Sequence, residues 1–87
     1  MTGGRSLVMQ RTIVTPGERD RFLDRARQRR EHYTARRCRY WVFEEAGLPG
    51  AFIEFAESED QAALTAALAG APEPVIDPAR LYQEVEL

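Results

Sequence analysis

Glu54, Trp41 and Arg39 are the residues whose types and spacing could do chemistry together. Glu54 stands between Ile53 and Phe55 and shares strand parity with Phe52 and Ala56. A carboxylate in so apolar a run is costly to bury unless it is paired or hydrogen-bonded. If the runs at 36–45 and 51–57 close a tight hairpin with Glu45 opposite Gly50, Trp41 faces Glu54 and Arg39 faces Ala56. A carboxylate desolvated beside a flat indole could then act as a general base, its pKa raised by burial unless Arg39 lowers it again. The alternative is a Glu54–Arg39 ion pair that satisfies itself at a subunit interface.

Two other residues could carry a proton or an electron pair. His32 is the one histidine, a residue type able to carry a proton. Helical spacing at 100° per residue sets it about 80° or more from the apolar stripe of its helix. It reads as a solvent-facing side chain at a helix C-terminus, where a cation is favoured. Cys38 is the one cysteine, so it forms no internal disulfide and no metal cluster of its own. No histidine is placed beside it, and it reads as a small buried hydrophobe rather than a nucleophile.

The elements that must position these groups fit one domain spanning residues 1–87. Apolar residues make up 44% of the chain and charged ones 30%, which excludes a disordered polyelectrolyte. The apolar runs are too short for a membrane-spanning helix or a secretory leader, so a cytoplasmic location is expected. All twelve basic residues are arginine, and they are unevenly placed. Residues 18–39 hold nine arginines against four acids, whereas residues 44–87 hold ten acids against Arg80. That polarity could steer an anionic partner, or let the two halves of the fold, or two subunits, attract one another.

Ser6 to Val14 is rich in β-branched and apolar residues and predicts a strand. Thr15, Pro16 and Glu18 have the spacing of a capping box, and a helix follows to about His32. Phe22, Ala26 and Tyr33 fall on one narrow stripe of that helix. Arg36–Glu45 and Ala51–Glu57 predict two strands joined by the glycine and proline turn AGLPG. Ser58 as cap and Gln61 three residues on predict a second helix that buries Leu64, Leu68 and alanines and ends at Gly70. A proline-punctuated connector leads to Arg80–Leu87, whose alternation suits an edge or exchanged strand. The order strand, helix, strand, strand, helix, strand predicts an α+β, ferredoxin-like subunit with a four-stranded antiparallel sheet.

Apolar residues occur at both parities of the first three strands, such as Leu7 and Val8, Trp41 and Val42, or Phe52 and Ile53. Two helices cover only one face of a sheet. The other face would expose more apolar area than a soluble monomer usually tolerates. A homodimer paired sheet to sheet removes the problem. The stretch RRCRYWVFEE, at 36–45, has the arginines and aromatics of a nucleic-acid binder. A strand buried on both faces needs its rings inside, however, and the acidic remainder of the chain argues against nucleic acid.

Three stretches taken together, TPGERDRFL, CRYWVFEE through LPGAFIEFAES, and EDQAAL, resemble the dimeric α/β-barrel superfamily. Within it they are most similar to the antibiotic biosynthesis monooxygenase-like domains, over about Met9 to Leu68. The resemblance implies ferredoxin-like subunits paired sheet to sheet. Some members oxidise polycyclic aromatics without a cofactor, some degrade haem, and many have no assigned activity. The haem-degrading branch carries an asparagine seven positions before the glycine of the helix entry, where this chain has Gln10. It also has a tryptophan just before the second helix, matched here by Ala56, and an iron-binding histidine, whereas no histidine follows His32. Those departures argue against haem degradation.

The resemblance therefore leaves cofactor-independent oxygenation, with no metal or cofactor expected. Gln10, Arg39 and Trp41 are the expected binding residues for a planar aromatic or polyketide-like ligand between helices and sheet, with Glu54 as the base. The alternative is a non-enzymatic dimeric module that binds a ligand or partner in a regulatory or accessory role.

Overall fold

Alternation along the strands decides which side chains meet the helices. In the computed structural model, which describes residues 4–72 and 76–87, the elements run β1 (Ser6–Ile13), a 3-10 turn (Pro16–Glu18), α1 (Arg19–Thr34), β2 (Arg39–Glu44), β3 (Ala51–Ser58), α2 (Gln61–Ala69) and β4 (Leu81–Gln83). One antiparallel sheet has the strand order β2-β3-β1-β4, the ferredoxin-like arrangement that the element order predicts. Ser6 and Val8 lie opposite Ser58 and Ala56, and all four are buried beneath the helices. Leu7, Met9 and Ile13 project from the other face, as do Ile53 and Phe55.

On α1 the spacing 22, 26, 33 does bury Phe22, Ala26 and Tyr33 against the sheet. Leu64, Ala67 and Leu68 do the same on α2. Burying each of the larger side chains is worth about 1.5–3 kcal/mol. The cluster that includes Val8, Tyr40, Ala56, Leu64 and Ile76 is the centre of this core. Among the described residues, no helix is long and apolar enough to cross a membrane.

Local details differ from the sequence expectations for physical reasons. Thr15 makes no side-chain cap; its carbonyl accepts from the Glu18 N–H at 2.9 Å, so the first turn is 3-10 and the regular helix starts at Arg19. The cap of α2 is Asp60, whose carboxylate accepts from the Ala62 N–H at 3.0 Å. Ser58, the expected cap, still belongs to β3, and its hydroxyl accepts from the Asp60 N–H at 3.1 Å. The strand expected from residue 36 begins at Arg39, because Arg36–Cys38 turn the chain, with Arg37 in the left-handed region at φ 63°. The C-terminal strand is short, pairing with β1 only at Leu81–Gln83, and residues 73–75 of the connector lie outside the described residues.

The β2–β3 hairpin closes one residue later than a tight turn would. Glu45 N–H bonds to the Ala51 carbonyl at 2.8 Å, and Gly50 is turned out of the ladder at φ 93°. Gly50 directs its carbonyl to the Val14 N–H at 2.8 Å and its N–H to the Glu44 carboxylate at 2.9 Å. A Cβ built there would lie 2.4 Å from the Val14 carbonyl oxygen, a clash with backbone that cannot swing aside. Gly50→Ala is expected to cost about 1–3 kcal/mol, read as a lower urea midpoint. Gly47→Ala, in the same loop with open space around it, should change little.

Candidate functional site

The centre of α1's buried stripe is an arginine. Arg29 lies three residues after Ala26 and four before Tyr33, so helical geometry carries it inward with them. It is fully buried, and its Nε donates to Glu54 Oε2 at 2.6 Å. Glu54 is 1% exposed, and the same oxygen accepts the Tyr40 hydroxyl at 2.5 Å. Arg29 also lies over the Phe22 ring, 5.7 Å from its centroid. Tyr33 stacks on Tyr40 with ring centroids 5.6 Å apart. Burial pulls the guanidinium toward neutrality, but the Glu54 carboxylate more than offsets this, so the Arg29 pKa is raised. An interior ion pair thus joins α1 to β3, with β2 contributing the phenol.

The two tyrosines make this cluster sensitive to alkali. Burial, reinforced by the Glu54 charge, pushes Tyr33 up to about 12. Tyr40 is raised by burial and by its hydrogen bond to Glu54. Each holds its proton more tightly when folded, so the stabilisation is complete below pH 10 and is lost as pH rises through the folded value. We expect denaturant midpoints to be flat up to about pH 10 and then to fall, Tyr33 contributing about 2 kcal/mol by pH 12. The Tyr33 hydroxyl has no hydrogen-bond partner among the described residues. Tyr33→Phe should therefore be neutral or mildly stabilising at pH 7 and should blunt the alkaline loss.

The later hairpin closure separates the four residues expected to form one site. Val42, not Trp41, lies opposite Glu54, and Tyr40, not Arg39, lies opposite Ala56. A one-residue change of register sends every side chain of a strand to the other face. Gln10 and Glu54 remain register neighbours on the helix-facing side, and Gln10 Oε1 accepts from the Asp77 N–H at 3.2 Å. Arg39 and Trp41 stand on the outer face. Arg39 pairs there with Glu57 at 2.7 Å, so the Glu54–Arg39 pair does not form; Arg29 takes its place. Phe22, Tyr33 and Leu64, all buried, pack in the layer around Glu54.

His32 is not turned to solvent. It is half-buried, and its Nε2 donates to the Ala67 carbonyl at 2.8 Å, tying α1 to the last turn of α2. Cys38 is buried, and burial raises its thiol pKa, as befits a packing residue. The charge asymmetry is largely spent inside the fold. Arg19 and Glu44 form two hydrogen bonds at 2.7 and 2.9 Å, which with the Gly50 N–H hold the Glu44 carboxyl down at about 2. Arg11 meets Glu45 at 3.2 Å, and Arg5 bridges Glu57 and Glu84 at 3.0 and 3.1 Å.

A separate cleft of about 420 Å³ opens along the free edge of β2. Leu23, Ala26, Arg27 and Arg30 of α1 form one wall, and Tyr40 to Phe43 of β2 form the other. Its size lies in the range of small-molecule sites, and its walls combine aromatic rings with two guanidinium groups. Sequence parity missed it because parity assigns side chains to faces. At a sheet edge, side chains of both parities border the same groove.

No family model matches this chain, and no curated protein matches it. Among solved structures, the chain is similar to one described as the crystal structure of a conserved protein from Methanosarcina mazei Go1. The TM-score is 0.75 over 95% of each chain, at 15% sequence identity, a likeness that shows the shared fold.

Proposed function

We propose that the chain is a homodimer, paired sheet to sheet in the manner of the antibiotic biosynthesis monooxygenase-like proteins it resembles, which binds a planar aromatic small molecule without turning it over. The observation that carries this reading is the outer face of the sheet. Ile13 is 62% and Phe43 60% exposed there, beside Met9, Trp41, Ile53 and Phe55, with no element among the described residues over them. Phe43 and Phe55 already meet edge to face, 5.8 Å between centroids. Arg5, Arg39 and Glu57 border this apolar area with ion pairs, the polar rim and apolar centre of a protein interface.

The binding role is favoured over oxygenation by the state of Glu54. A general base needs a lone pair directed at its substrate. Glu54 is buried and engaged by Arg29 and Tyr40, and the ligand-sized space lies at the β2 edge instead. Sedimentation equilibrium at micromolar concentration should give twice the subunit mass of 9.9 kDa. A monomer mass would overturn the dimer. With hydroxylated polycyclic aromatics in air, oxygen uptake should not exceed the uncatalysed rate. Uptake that Glu54→Gln abolishes would restore the oxygenase reading.

A further inference from the structure

We infer that the cleft between α1 and β2 takes an aromatic anion, a flat ring system bearing a carboxylate or comparable acid, with Arg30 as its counter-ion. The inference rests on the ligand-binding reading above and names the site and the ligand class. The apolar part of the cleft comes from Leu23, Ala26, Tyr40 and Val42 on the helix-facing side, with Trp41 and Phe43 lining it from the outer face at the sheet edge. Such walls favour a ring that can stack or pack edge to face. Among the described residues no carboxylate lines the cleft, whereas two arginines do.

Those two arginines are not equivalent. Arg27 is held by Asp24 at 2.7 Å, one turn earlier on the same helix. Arg30, one turn later, has no ion-pair partner among the described residues, although the helix and its neighbours pair most of their other arginines. A guanidinium presents parallel N–H donors that match a carboxylate with two hydrogen bonds. A neutral ring would use the apolar walls and leave that donor set in water. α1 lies on the opposite side of the sheet from the face that dimerisation covers, so the arginine side of the cleft stays open in the dimer.

Trp41 is the single tryptophan of the chain and lines the cleft from the face that the dimer covers, so its indole N–H resonance, followed at fixed protein concentration to keep the dimer population constant, reports on this site. The probes are 2-naphthoate and its neutral counterpart 2-naphthamide, titrated into the intact protein while that resonance is followed. We expect 2-naphthoate to bind about tenfold tighter at low salt, in keeping with one charge-assisted contact at a partly exposed site. Added salt should erase the advantage. Arg30→Gln should bring 2-naphthoate to the level of 2-naphthamide and leave 2-naphthamide unchanged. Arg37→Gln, which removes a charge outside this cleft, should preserve the preference. Equal binding of the two probes to the unmodified protein would overturn the assignment of an anion while sparing the ligand-binding reading. A preference that survives Arg30→Gln, or that Arg37→Gln removes equally, would also overturn the assignment. If neither probe moves the Trp41 resonance at millimolar concentration, both readings fall.

Discussion

Arg29→Ala is expected to leave the protein largely unfolded at room temperature. The substitution strands Glu54, 1% exposed, with a charge that, among the described residues, the Tyr40 hydroxyl alone then satisfies, and it empties the space beside Phe22. Removing one partner of a buried ion pair typically costs about 3–5 kcal/mol, against total stabilities of about 5–15 kcal/mol for domains of this kind. An 87-residue chain sits at the low end of that range. Circular dichroism with urea titration measures the loss. The double variant Arg29→Met with Glu54→Gln separates charge from packing. It removes both charges, fills the arginine's place with an unbranched apolar chain and keeps an acceptor for Tyr40. More than half of the lost stability should return. If the double variant is as unstable as the single one, the guanidinium matters for its shape and not for its pairing with Glu54.

Phe55→Glu is expected to split the proposed dimer while leaving the subunit folded. Phe55 is on the outer face of a central strand, opposite Met9 and Trp41, and its side chain points away from the helices. A two-fold interface contains each substitution twice. Two unpaired carboxylates forced into an apolar contact at about 2 kcal/mol each would raise the dissociation constant about a thousandfold. Sedimentation at micromolar concentration should then give the monomer mass with an unchanged circular dichroism spectrum. Unaltered dimer mass would mean that the subunits pair through another surface. Phe55 does not line the β2-edge cleft, so 2-naphthoate binding serves as a check that the variant keeps its native form.

The order of elements and the sidedness of β1, β3 and the apolar stripes of the helices can be read from the chain alone. Strand alternation placed Val8 and Ala56 inward and Met9 and Phe55 outward, and helical spacing buried Phe22, Ala26 and Tyr33. These are short-range periodicities set by backbone geometry, so a single chain displays them. Arg29 sits in the middle of that stripe, but a charge argues for solvent unless an interior acid is known to meet it, so the sequence left it unremarked. Glu54 was recognisable as that acid; that its partner comes from α1 was not.

Which β2 side chains meet Glu54 depended on where the hairpin closed, and long-range contacts set that. Gly50 leaves the β2–β3 ladder because the end of β1 and Glu44 both claim its backbone. That contact joins residues 36 positions apart, and no local pattern encodes it. Its consequence was large, since one residue of register moved Trp41 and Arg39 to the outer face and put Tyr40 against Glu54. The cleft beside α1 arises at the same level. It exists because β2 is the edge of the sheet, a fact of strand order and not of any residue within β2.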